Sequence, residues 1–149
     1  MNSASHTHIS ATTYDRATCE IGVVHLGFGA FHRAHQAVYL DDYMEKTGDL
    51  NWGIAAVNLR GAEAGSFAAA ADDVARHDGY FLKSHASDGD VALRRVRSHV
   101  AFADWSADRA GSEALLAQAS VNLVTITVTE SGYYTDPNGD LNHADPLIA

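Results

Sequence analysis

From Gly22 to Val128, short apolar runs alternate with stretches whose apolar residues recur at helical spacing. Gly22 to Leu26 reads as a short buried strand, and Phe31, Ala34, Val38 and Tyr39 mark one face of a helix that Gly48 stops. Trp52 to Leu59 is a second buried strand, and Ala62 to Ala75 is alanine-rich, with Phe67 and Val74 to pack inward. Tyr80 to His85 and Val91 to Val100 flank Ser87-Asp88-Gly89-Asp90, where Asp-Gly between apolar segments predicts a hairpin. Ala107 to Ala119 returns to helix, and Leu123 to Val128, the most β-prone run, is expected as a central strand. Strand and helix in alternation imply a parallel sheet covered by helices, with ligands at the carboxyl ends of its strands.

The ends of the chain read differently. Met1 to Glu20 is polar, rich in Ser, Thr and His, and without sustained period, so residues 1–20 are expected to be a flexible lead-in and residues 21–149 the folded domain. His6 and His8 lack a carboxylate or cysteine partner at ligand spacing, and no metal site is expected. Near the other end, Asp145 suits a helix N-cap and Pro146 the first helical position, so a helix is expected to begin there and the chain to be the first part of a longer polypeptide.

Composition narrows the class. The 149 residues suffice for one domain, and 46% hydrophobic with 19% charged residues is the balance of a globular protein. No apolar run approaches the length of a membrane span. A net charge of -9 opposes nucleic acid, and Arg94-Arg95-Val96-Arg97 is too short a basic run to reverse that. One cysteine, Cys19, excludes an internal disulfide, and the N-terminus lacks a signal-peptide pattern, so a cytoplasmic location is expected.

Chemistry concentrates at two strand ends. Gly27-Phe28-Gly29 follows the first strand and opens a helix, as two of three glycines of a dinucleotide fingerprint do; His32 holds the third position. Gly27 permits the sharp turn, and Gly29 lets backbone N–H groups approach a pyrophosphate. The second strand ends Asn58-Leu59-Arg60-Gly61, without the usual ribose-binding acid. Arg60 is suited to stack on adenine or meet a 2′-phosphate, which leaves NAD and NADP both open. Thr127-Val128-Thr129-Glu130-Ser131-Gly132-Tyr133-Tyr134 leaves the last strand, where Thr129 is placed to bond a cofactor and Glu130, if partly buried, to relay protons. His32 and His35 can share a helical face, but two ligands do not complete a metal site; with Arg33 they are expected to cap, to bond strand-end loops or to face a neighbouring domain.

The string Gly27-Phe28-Gly29-Ala30-Phe31-His32-Arg33-Ala34-His35-Gln36 resembles the opening signature of the mannitol dehydrogenase family of long-chain polyol dehydrogenases. Thr127-Val128-Thr129-Glu130-Ser131-Gly132-Tyr133 is similar to that family's Thr-x-Thr-Glu-Lys-Gly-Tyr motif, with Ser131 replacing lysine. The resemblance implies a Rossmann-like α/β domain, a mostly parallel, doubly wound sheet with an inserted β-hairpin. It implies a metal-independent enzyme that oxidises a secondary alcohol of an open-chain polyol to a ketose with NAD, NADP not being excluded. Gly27, Phe28, Gly29, Ala30 and Phe31 would then form the pyrophosphate turn, Thr129 would touch the nicotinamide side, and Glu130 would sit beside the path by which the alcohol proton leaves. A lysine with asparagine and histidine helpers would come from a separate helical domain, so this chain alone would be inactive. The Glu-Ser-Gly-Tyr-Tyr form looks closest to D-arabinitol dehydrogenases, with mannitol-type oxidation and fructuronate or tagaturonate reduction as relatives' chemistry. A non-catalytic nucleotide-sensing module is the alternative of a different class.

Overall fold

The computed structural model describes residues 9–85, 91–128, 130–146 and 148, with the side chains of Glu130 and Ser131 outside the description. Four strands form a parallel sheet in the order β6-β3-β2-β7: β2 is Ile21–Leu26, β3 is Gly53–Asn58, β6 is His99–Asp104 and β7 is Leu123–Ile126. From β2 the chain runs to one side through β3 and β6, then crosses back to place β7 on the other side of β2. That reversal is a topological switch point, the place where open α/β sheets bind ligands.

Alternation along the strands feeds two cores. Val23 and Ile54 pack with Ala37 of α2 (Gln36–Thr47) and Val74 of α3 (Ala64–His77) on one face. Val24, Ala55 and Val57 pack with Leu115 and Leu116 of α4 (Arg109–Leu116) on the other. Neighbouring residues of one strand thus serve opposite faces, and every residue of β3 is buried, as expected of a strand covered on both sides.

Differences from the sequence expectations have physical causes. The first helix is two: α1 (Ala30–Ala34) and α2 meet at His35, whose φ of -124 and ψ of -83 are not helical. Val91 to Val100 is also two elements, because Arg97 and Ser98 carry the chain from one sheet to the other. β4 (Tyr80–His85) and β5 (Val91–Val96) pair antiparallel as expected, while the turn residues Asp88 and Gly89 lie outside the described residues. The strand expected to be central, β7, is the edge of the parallel sheet, with Leu123, Val124 and Ile126 exposed. Its β propensity registers branched side chains, whereas its place depends on the crossover.

Of the expected lead-in, residues 9–20 carry regular structure: β1 (Ile9–Ala11) pairs parallel with β5, and Arg16–Thr18 forms a 3-10 turn. Fully buried Asp41 ties this segment down, accepting from the hydroxyls of Thr12 and Tyr14, the backbone N–H of Arg97 and the guanidinium of Arg94. Near the other end, residues 143–146 form successive turns, and the helix expected from Pro146 onward falls largely on residues 147 and 149, which lie outside the description.

Candidate functional site

A crevice of about 280 Å³ opens at the carboxyl ends of β2 and β3. Gly27, Phe28 and Gly29 form one wall with Arg33, and Asn58, Glu63, Ser66 and Phe67 contribute to the other. A larger depression of about 470 Å³ lies by Asp15, Ile21, Asp78, Arg97 and Val100, where β2 and β6 begin. The carboxyl end is the ligand end of such a sheet, so the smaller crevice is the candidate site.

Its two glycines do different work. Gly27 has a φ of +108, a conformation that favours glycine, and its N–H is bonded to Val57 O at 2.7 Å, which holds the turn against β3. Gly29 has an ordinary φ of -72 as the residue before α1, and a Cβ built there meets none of the described residues within 4 Å. The protein itself does not need glycine at position 29. Space at that point is what a ligand's phosphates require.

Phe28 turns inward, its ring edge-on to Phe67, Tyr80, His99 and Phe102, and it carries the Arg33 guanidinium 5.0 Å above it. Among the described residues, the buried Nε of Arg33 has no hydrogen-bond partner. A cation on the crevice wall fits an anionic phosphate. Asn58 is committed to its own loop: its amide donates to Arg60 O and Asp104 Oδ2, and its oxygen accepts from the Arg60 N–H.

The other expected site residues are distributed more widely. Ala30 and Phe31 occupy the first turn of α1; Phe31 is exposed, stacks on His35 with ring centroids 4.3 Å apart, and does not line the crevice. Arg60 projects outward and pairs with Glu63 at 3.2 Å, so Glu63, not Arg60, reaches the crevice wall. Thr129 and the side chain of Glu130 lie outside the described residues; the backbone from Glu130 to Tyr133 is a 3-10 turn.

His32 and His35 do not share a face. His32 is buried, whereas His35 is exposed. His32 joins a cluster that sequence reasoning did not find, with His25 of β2, Gln36 of α2, His99 of β6 and Thr125 of β7. The rings of His25 and His32 stack with centroids 3.5 Å apart and 6° between planes. Burial holds both imidazoles down at about 4 and His99 well below the ordinary histidine range, so all three are neutral near neutrality. Residues 67 and 100 positions apart gave no local pattern to read.

Residues 21–149 match the model of the mannitol dehydrogenase Rossmann domain. The chain belongs to that family. Mannitol 2-dehydrogenase of Cereibacter sphaeroides is 33% identical over 140 residues, which span 94% of this chain and 28% of that protein. The enzyme of the same name from Pyrenophora tritici-repentis is 35% identical over 140 residues, 92% of this chain and 24% of its own. Among solved structures, Pseudomonas fluorescens mannitol 2-dehydrogenase in ternary complex with NAD and D-mannitol superposes with a TM-score of 0.75 at 30% identity, covering 93% of this chain and 28% of that one. Substrate-free D-sorbitol dehydrogenase gives 0.74 at 26% identity, with the same coverages. The mannitol dehydrogenase Rossmann fold is therefore that of this chain, which spans about a quarter of the length of these relatives.

Proposed function

We propose that this chain is the cofactor-binding part of a nicotinamide-dependent polyol dehydrogenase. The observation that carries the reading is the open space at Gly29, set in a glycine turn at the switch point of a family domain. The solved relative from Pseudomonas fluorescens is described with NAD and D-mannitol, and NAD is the cofactor we assign here, with NADP left open by the absence of an acid at Asn58-Leu59-Arg60.

The residues divide the work. Gly27 shapes the turn, Gly29 leaves the phosphates room, and Arg33 offers them a counter-charge at the wall. Glu63 is the carboxylate at the adenosine side of the crevice, with Arg60 paired to it from outside. Thr129 and Glu130 keep the roles their motif gives them, Thr129 toward the nicotinamide and Glu130 beside the route of the departing alcohol proton. Bound nicotinamide supplies the hydride acceptor. The base that takes the proton belongs, in this reading, to a helical domain supplied by further sequence, so the chain by itself binds cofactor without turnover. The substrate class is an open-chain polyol and its ketose, of D-arabinitol or mannitol type, handled in the cytoplasm.

The test is a fluorescence and calorimetric titration of the folded chain with NADH. Saturable binding that S-adenosylmethionine does not share is expected. Absence of any signal from NADH and NADPH alike overturns the cofactor assignment.

A further inference from the structure

We propose that His25, His32 and His99, with Gln36 and Thr125, form a proton-sensitive clamp that holds the Gly27–Gly29 turn in cofactor-binding shape and releases it on proton uptake while the sheet stays folded. The proposal rests on the cofactor reading only for its functional consequence.

The clamp spans the turn. His25 lies two residues before Gly27 and His32 three after Gly29, and their stacked rings close the base of the loop that the crevice uses. His99 meets Phe28, the residue between the glycines, with ring centroids 4.9 Å apart. Thr125 brings in β7, the strand across the switch point, as the direct register partner of His25.

With Gln36 Oε1 directed at Thr125 and His32, the hydrogen bonds take one arrangement of protons. Thr125 Oγ1 donates to Gln36 Oε1 at 3.0 Å, so it accepts from His25 Nδ1 at 2.8 Å. Gln36 Oε1 can only accept, so His32 Nδ1 is its donor at 3.0 Å. A neutral His32 then has a bare Nε2, which accepts from His99 Nε2 at 3.0 Å and leaves His99 Nδ1 bare, buried and, among the described residues, without a hydrogen-bond partner. Each of these bonds has one hydrogen and one acceptor.

An added proton has no comfortable place. On His32 Nε2 it sets two N–H donors against each other. On His25 it puts a charge inside the ring stack, and on His99 Nδ1 a charge in a fully buried site. The charged groups acting on His99 are cations: Arg16 from the 3-10 turn, which also donates to His99 O, and Arg33 from α1. Tyr80 from β4 faces it with a phenol that burial keeps protonated, and α2 and β7 contribute the neutral Gln36 and Thr125. Parting of the rings relieves the charge, and the loop they close moves with them.

The test follows backbone amides of the full chain by 15N-edited NMR from about pH 7 to about pH 4, the range over which the buried His25 and His32 begin to take up protons. Gly27 and Gly29 are expected to shift together with the imidazole resonances, while Ala55 and Ala56 of β3 stay in place. In parallel, the dissociation constant for NADH is expected to rise about fourfold by about pH 4, as the competent turn is depopulated. The double substitution His25→Phe with His99→Gln keeps a ring on His32 and a donor to it, but removes two titrating sites; the glycine shifts are expected to move to lower pH or vanish. Glycine amides that hold until the β3 amides change, or a folded double variant that titrates as the parent does, overturn the clamp. If the double variant does not fold, the parent titration decides. Glycine shifts without NADH binding at neutral pH support the clamp and overturn the cofactor reading, whereas glycine shifts with unchanged NADH affinity overturn the release.

Discussion

At the scale of single residues, the glycine turn separates what the fold needs from what a ligand needs. Gly27, at a φ of +108, requires a residue free of a Cβ, so Gly27→Ala is expected to cost about 1–3 kcal/mol of stability, measured by urea denaturation. Gly29 has an ordinary φ and open space at its Cβ, so Gly29→Val is expected to unfold at the parent's urea midpoint yet lose NADH binding. Loss of stability without loss of binding would place the ligand elsewhere. The turn was legible because strand, glycines and helix are contiguous. Arg33 was visible in the same string, but its position on the crevice wall was not, since that depends on the Phe28 ring beneath it. The outward course of Arg60 was equally hidden: Asn58 spends its amide on the Arg60 backbone, and the guanidinium swings to Glu63.

At the scale of elements, Asp41 joins parts that local sequence keeps apart. It sits on the buried side of α2 and bonds the segment before β2, the guanidinium of Arg94 in β5 and the backbone where the chain passes between sheets. Its carboxylate therefore holds the small sheet, β1-β5-β4, against α2. Asp41→Ala leaves the Tyr14 phenol, the Thr12 hydroxyl and the Arg97 N–H without their acceptor and Arg94 with Asp42 alone, an expected loss of about 3 kcal/mol, read as a lowered urea midpoint. A change of less than about 0.5 kcal/mol would show the contacts to be passive. Periodicity found the helices and most strands because each buries one face. It missed β1 and the breaks at His35 and Arg97, because long-range bonds, not local pattern, specify them.

At the scale of the whole molecule, the alternating pattern announced the α/β architecture but not the order β6-β3-β2-β7, which the crossovers set. That order brings β2, β6 and β7 around one helix break and buries three imidazoles in one place, with a consequence for global stability. In the unfolded chain each histidine protonates near pH 6.5, about the ordinary value. In the fold, burial holds His25 and His32 at about 4 and His99 well down. Between these limits the unfolded state binds more protons, so stability is fully present above the unfolded value and falls as pH drops from about 6.5 toward about 4. Hydrogen bonds also depress the carboxylates of Glu45, Asp49 and Asp104, with the same sign. Their unfolded values lie near 4, so they act at lower pH and leave the interval from about 6.5 to about 5 to the histidines. Urea midpoints across that interval are expected to decline steadily, and the double substitution His25→Phe with His99→Gln is expected to flatten the decline. An equally steep decline in that variant would assign the acid sensitivity to groups outside the cluster.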